Sequence, residues 1–299
     1  MNRKAASFFM ILGMVLTWTL FYTMSKLAVD MSGSVLLTGA LIRGAALLFL
    51  TAELIITKKM RLLFRQGKTT WILLFIGVFG FLLDLFANLG YRGGSLSTGT
   101  ALLKTDVLMV SLVSVFLYKK KMTWFDWLAT VLMLAGVLFV LGIDFQAIEF
   151  HWTDLFFLLS AASVSANAFI IKHIQEKNDT DSEVISYYNN FVVFALFSAS
   201  AGIQGDFKIL SGPVPPLFGL IVLIGGLAQT GIYFFYYRNL KRFEVWQVKL
   251  YLLLMPVFSA LIGVLFLNET LSVLQVVGIF VVLSGAALFI LGSRLKKES

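Results

Sequence analysis

Three features of the sequence predict an all-α integral membrane protein of ten transmembrane helices, arranged as two inverted five-helix repeats (5+5) with both termini cytoplasmic. The 299 residues are 59% hydrophobic and 13% charged, with a mean hydropathy of +0.89. A water-soluble domain of that length needs more polar surface to cover itself. Apolar stretches of about 20 residues, the length that spans the hydrocarbon core, follow one another with little sequence between them. Finally, the block Leu117–Gly142 (LYKKKMTWFDWLATVLMLAGVLFVLG) is echoed 150 positions later by Leu267–Gly292 (LNETLSVLQVVGIFVVLSGAALFILG). The hinge of the first copy is Lys119-Lys120-Lys121 and the matching place in the second holds Glu269. Similar segments with opposite flanking charge are what two copies inserted upside-down should show, and inverted repeats are a hallmark of secondary transporters.

The spans are predicted in order at 7–27, 34–56, 71–91, 97–117 and 124–143, then at 153–173, 184–203, 216–237, 245–267 and 273–292. The first five make a repeat over residues 1–146 and the second five a repeat over 147–299. Because five is odd, the two copies must run antiparallel. Arg3-Lys4 before an apolar run resembles a signal peptide, but no small-x-small cleavage site follows, so the run is read as a retained first helix. The chain has no cysteine, which excludes disulfides and thiolate chemistry.

The net charge of +8 is distributed by membrane side rather than along one face, so nucleic acid is not an expected partner. With the amino terminus inside, 18 of the 24 basic residues fall in cytoplasmic segments. Only Lys26, Arg92 and Lys208 fall outside, and Arg43, Lys104 and Lys249 lie within spans. This is the positive-inside pattern. Trp71, Trp124, Trp127, Trp152 and Trp246 sit at predicted helix ends, as an interfacial belt would, and Trp18 alone is mid-helix.

Charges inside spans are costly and are functional candidates by default. The first repeat carries Arg43, Asp84, Lys104 and Asp106 at similar depth, two of each sign. On an unbroken helix Gly77, Asp84, Asn88 and Tyr91 share one stripe, and Ser97, Ala101, Lys104 and Ser111 share another. These stripes suit a cavity lining, with Asp84 and Lys104 facing each other. Asp106 falls about 200° from Lys104, which leaves Arg43 as its expected partner. Two readings stand: ion pairs that only fix packing, or groups that bind substrate or couple a proton or other ion.

The second repeat is polar rather than charged. Ser160, Ser163 and Asn167 share a face, as do Gln229, Tyr233 and Tyr236. Trp18, Tyr22 and Ser25 form an aromatic stripe on the first helix. Lys249 either snorkels from a helix end or contacts substrate. Pro256 is expected to kink the ninth helix, as a hinge or a static bend.

With these residues in hand, the chain resembles the EamA-type members of the drug/metabolite transporter superfamily. The resemblance runs through Pro256, Glu269, Gly278 and Gly285 near the carboxyl end, through Trp18 and Lys26 in TWTLFYTMSKLA, and through Arg43 in ALIRGAALL. It implies ten helices around a central cavity, alternating access between inverted halves, and transport of small organic solutes, often outward. The first repeat departs from the pattern: Asp106 stands where the second has Pro256, Lys119 where it has Glu269, and Lys104 is an intrusion.

The expected function is therefore a secondary transporter, an exporter, of a small polar or amphipathic metabolite in the cell membrane, with an amino-acid-like solute favoured. Its expected substrate-binding residues are Trp18, Tyr22, Asp84, Asn88, Lys104, Asn167, Gln229 and Tyr233. Arg43, Asp84 and Asp106 are the candidates for ion pairing or proton coupling, and Pro256 for a hinge. The alternative is a translocator of lipid or lipid-linked sugar on the same fold. An intramembrane enzyme is disfavoured, because Asp84 and Asp106 sit in no catalytic motif and His151 and His173 lie at helix ends. No metal-binding motif, cofactor motif or phosphate-binding loop occurs, so no cofactor is expected. Uphill transport would draw on an ion gradient or on substrate concentration.

Overall fold

A computed structural model describes residues 3–93, 102–142, 152, 154–212, 215–266 and 270–298, and these are helical apart from short connections. The helices are α1 (Arg3–Ser32), α2 (Val35–Ile56), the single turn α3 (Met60–Leu63), α4 (Thr69–Gly93), α5 (Thr105–Phe116), α6 (Trp124–Val140), α7 (Asp154–Lys177) and α8 (Ser182–Gln204). After these come α9 (Pro216–Ile232), which runs through a π-helical turn (Tyr233–Tyr237) into α10 (Arg238–Arg242), then α11 (Val245–Leu252), α12 (Met255–Phe266) and α13 (Val273–Glu298).

Local chemistry sets the ends. Ser34 Oγ accepts from the Leu37 amide at 3.0 Å to start α2, and Thr123 with Asp126 closes a capping box on α6. Gly205 takes a left-handed conformation (φ 76°) to end α8. Pro216 occupies the first turn of α9, where a missing N–H costs nothing.

Among the described residues, eight helical segments are long and apolar enough to cross a membrane: Phe8–Ser32, Val35–Ile56, Thr69–Ala87, Leu155–Lys177, Ser182–Gln204, Pro216–Arg242, Val245–Leu265 and Val273–Gly292. Their outward faces are apolar, with Leu48, Trp71, Phe75, Ile203 and Phe280 each more than half exposed. Such faces require hydrocarbon around them. This is a multi-pass membrane protein. Two shorter apolar helices, Thr105–Phe116 and Trp124–Val140, fall on the fourth and fifth predicted spans.

The chain packs as two compact units, each drawing on both halves of the sequence. The first comprises Met1–Asp84 with Ala166–Phe243 and the second Leu85–Ser165 with Glu244–Ser299. In the first unit α2 packs on α8 and α9, and α1 on α9. Gly39 lies against Phe197 and Gly44 against Phe194, so α2 and α8 run antiparallel.

In the second unit the main contact is α6 with α13. Phe125 meets Gly292, Met133 meets Gly285 and Gly136 meets Val282, so these helices are antiparallel too. Small residues let the two backbones touch, as helix pairs in lipid require. A Cβ on Gly136 would lie 2.7 Å from the Val282 nitrogen and 2.9 Å from the Gly278 oxygen, and backbone cannot step aside.

Two sequence expectations are corrected by local geometry. The ninth span is not a kinked helix but two helices, with a turn at Leu253–Leu254 and Pro256 as the second residue of α12. Trp246 is buried against Phe289, with ring centroids 5.6 Å apart, and so is a packing residue rather than part of the belt. Trp71, Trp124 and Trp152 are exposed at helix ends, as expected.

The α6–α13 contact yields a test of packing. Gly136→Val is expected to cost about 1–3 kcal/mol and lower the unfolding temperature of the purified protein. Gly219→Ala, where an added methyl meets nothing within 4 Å, should leave it unchanged or slightly raised.

Candidate functional site

Among the described residues each unit buries one ion pair. In the first unit Arg43, on α2 and 7% exposed, donates through Nη2 to Asp84 Oδ2 on α4 at 3.1 Å. Its Nη1 donates to the Tyr233 hydroxyl at 2.7 Å, and Tyr233 passes its own proton toward Asn190 Oδ1 at 3.4 Å. Asn190 Nδ2 in turn holds the Arg43 carbonyl at 2.8 Å. Beside it Asn189 Nδ2 donates to the Tyr237 hydroxyl at 2.7 Å. The guanidinium carbon also stands 5.7 Å from the centre of the Phe21 ring.

The sequence makes this cluster through the π-helical turn. Its extra residue per turn brings Tyr233, Tyr236 and Tyr237 to the buried side while Phe234 stays partly exposed. Such turns are frequent at functional sites. Trp18 stacks near Tyr22 (5.6 Å) and meets Tyr236 edge-on (6.0 Å). Trp18 Nε1, Gln229 Oε1 and Asn167 Oδ1 are buried with no hydrogen-bond partner among the described residues. Buried polar atoms of this kind call for an explanation.

In the second unit Lys249, on α11 and 2% exposed, donates through Nζ to Asp106 Oδ2 on α5 at 2.8 Å. Helix α5 does not run through Lys104: that residue is a turn, and the helix starts at Thr105. Thr105 Oγ1 takes up the Leu102 carbonyl at 2.6 Å. Lys104 lies within electrostatic reach of both Asp106 and Lys249.

A third group of charges lies at the ends of the spans. Glu183 pairs with Arg238 at 3.0 Å and with Lys59 at 3.4 Å, and Arg238 stacks 3.6 Å over the Phe234 ring. Glu183, Phe234 and Arg238 line a shallow cleft in the first unit with Leu50, Glu53 and Tyr233. Outside the spans, a hydrogen bond and the charge of Lys241 hold the Asp179 carboxyl below its ordinary range.

The sequence model of the EamA-like transporter family matches residues 5–142 and again residues 151–291. The chain belongs to the EamA-like transporter family. The two matches make it an EamA-like protein with two repeats. A solved crystal structure, titled only as that of a protein, superposes with a TM-score of 0.78, covering 97% of this chain and 99% of that one at 18% identity. At that identity the likeness concerns the fold alone. No curated protein sequence matches the chain.

In this EamA-like chain the charges pair differently from the sequence reading. Arg43 takes Asp84, not Asp106, and Asp106 takes Lys249. The cause is the break at Lys104, which ends the regular 100° step on which the helical projection relied. Lys249 does not snorkel, because its ammonium is buried on Asp106. Tyr188 donates to the Leu63 carbonyl at 2.8 Å and so ties α8 to α3.

Trp18, Tyr22, Asp84, Gln229 and Tyr233 all fall in the first unit with Arg43, and so does Asn167. The side chain of Asn88, like Glu269, Asp144, Glu149 and His151, lies outside the described residues. Sequence reading passed over Phe21 and the Glu53–Glu183–Arg238 group. Glu53, an acid within an apolar span, was the available signal.

Removing one partner of a buried pair strands the other charge. Arg43→Met and Asp84→Leu are each expected to destabilise by about 3–5 kcal/mol, and the double variant should lie closer to wild type than either single. Denaturation of the four proteins in one detergent reads the coupling.

Proposed function

We propose that the protein is a ten-span secondary transporter of a small polar or amphipathic organic metabolite, working by alternating access between two inverted five-helix repeats. The repeats are residues 1–146 and 147–299, with both termini cytoplasmic, in the cell membrane. Membership of the EamA-like family carries the transport assignment. Inversion is supported within each unit, because helices 150 positions apart in register pack antiparallel: α2 with α8, and α6 with α13. The ten-span count rests on adding the two shorter apolar helices to the eight longer ones. Export is the direction that the resemblance implies.

Within the first unit, the substrate contacts we assign are Asp84, Tyr233, Gln229 and Asn167, with Trp18 and Tyr22 as the apolar wall. The observation that carries this is the Arg43–Asp84–Tyr233 cluster, a carboxylate at the edge of a buried guanidinium; in the same unit Trp18 Nε1, Gln229 Oε1 and Asn167 Oδ1 are buried without hydrogen-bond partners among the described residues. Asp84 is the more accessible partner, its side chain 26% exposed against 8% for Arg43. It is thus the group a substrate amine, or a coupling proton, can reach. An acid that exchanges partners between Arg43 and a solute cation gives a solute-dependent change in one buried pair, which alternating access needs.

Counterflow of labelled amino acids, organic anions and amines in proteoliposomes tests the assignment. Saturable exchange is expected for one amine-bearing class, reduced at least about tenfold by Asp84→Asn, as loss of a buried charge-assisted contact implies. Exchange undiminished in that variant would remove Asp84 from the site. Absence of exchange for every solute, including lipid-linked sugars, would count against transport itself.

The cysteine-free chain also makes orientation measurable. Single cysteines at Lys68 and Lys208 should react with an impermeant thiol reagent from opposite sides of the membrane, Lys68 from the cytoplasmic side. Labelling of both from one side would overturn the inverted topology.

A further inference from the structure

The second unit contains a helix break that exists in both repeats but is built in two different ways. In the second repeat the turn at Leu253–Leu254 precedes Pro256, whose ring removes an amide and clashes with the carbonyl four residues back. The 150-residue register that relates Leu117 to Leu267 relates Lys104 to Leu254 and Asp106 to Pro256. The first repeat breaks at that equivalent place, Lys104, without a proline. Helices α5 and α11, which carry the two breaks, pack on each other. Backbone outside regular helix is tolerated at membrane depth only where protein covers it or where it lines a polar cavity. One break is apolar; the other carries charge.

Among the described residues the paired charges there are unequal. Two ammonium groups, Lys104 and Lys249, stand against one carboxylate, and Lys249 holds that carboxylate at 2.8 Å. Among the described residues Lys104 makes no ion pair of its own. Lys104 also caps the amino-terminal end of α5 with no side-chain cap bond, so its positive charge sits on the positive end of the helix dipole. A lysine placed there within a span is costly unless an anion completes the site.

We propose that Lys104, with Lys249 beside it on Asp106, binds an oxyanion, the carboxylate or phosphate group of a solute. Lys104 makes the direct contact. Asp106 acts as an internal stand-in that keeps Lys249 neutralised when the site is empty and yields part of that lysine when the anion enters. The acid in the first turn of α5 is thus a positioning residue and a competitor, not a ligand. The proposal rests on the transporter reading only in taking the anion as part of the cargo.

Purified full-length protein is titrated with sodium acetate, sodium glutamate and inorganic phosphate, with chloride at equal ionic strength as the reference, and its unfolding temperature followed. A saturable rise is expected with at least one oxyanion. Response to the carboxylates alone assigns a carboxylate group, and response to phosphate alone assigns a phosphate group; either supports the site. Lys104→Met should abolish the rise and Lys104→Arg retain it. Asp106→Asn should tighten apparent binding about tenfold, because the competing charge on Lys249 is gone.

No rise beyond chloride in wild type would overturn the proposal, as would an undiminished rise in Lys104→Met. If Lys104→Met does not fold, weaker or unchanged binding in Asp106→Asn overturns it instead. The melt is independent of transport. Loss of the transporter reading would show in the proteoliposomes while leaving oxyanion binding to stand or fall by itself.

Discussion

Hydrocarbon offers no water and no counter-charge, so every charge and backbone dipole placed in it must be answered from inside the protein. That constraint makes the chain helical and turns its few intramembrane charges into tertiary links. Arg43 and Asp84 are 41 residues apart, and Asp106 and Lys249 are 143 apart. Each pair fastens helices that only folding brings together. Tyr233, Asn190 and Phe21 then occupy the remaining faces of Arg43, so that one guanidinium gathers α1, α2, α4, α8 and the end of α9 around itself.

The two units answer the same constraint with different chemistry. In the first, a network of tyrosines and asparagines spreads a single charge pair over many hydrogen bonds, and the π-helical turn supplies the room. In the second, glycines and methyl-sized gaps bring the backbones of α6 and α13 into contact, where dispersion does what the hydrophobic effect cannot do in lipid. Among the described residues, the buried ion pair of that unit joins the broken helices α5 and α11. A break recurs 150 positions apart, at Lys104 and at Leu253–Leu254.

What could be read from the sequence was what depends on local composition. Hydropathy placed eight of the predicted spans on helices long and apolar enough to cross a membrane and the other two over shorter apolar helices, and the 150-residue echo agrees with a family model that matches the chain twice. Arg43, Asp84, Asp106, Gln229 and Tyr233 could be singled out because a polar group in an apolar run is conspicuous without any knowledge of its neighbours. Trp246 could not be placed: a tryptophan at a helix end looks the same whether it faces lipid headgroups or, as here, Phe289.

The pairing of charges was decided only by tertiary structure. Two cations and two anions at similar depth satisfy neutrality in more than one way, and the sequence contains nothing that ranks the choices. The turn at Lys104 leaves no proline behind it to be read, yet it resets the direction of every side chain beyond it, Asp106 first. Lys249 could be read as snorkelling or as a substrate contact, because its distance from the helix end can be counted and its partner cannot. Composition and periodicity fix which residues are buried in the membrane, since transfer into hydrocarbon is a property of the segment. Which acid meets which base is a property of the packed helices, and only their assembly determines it.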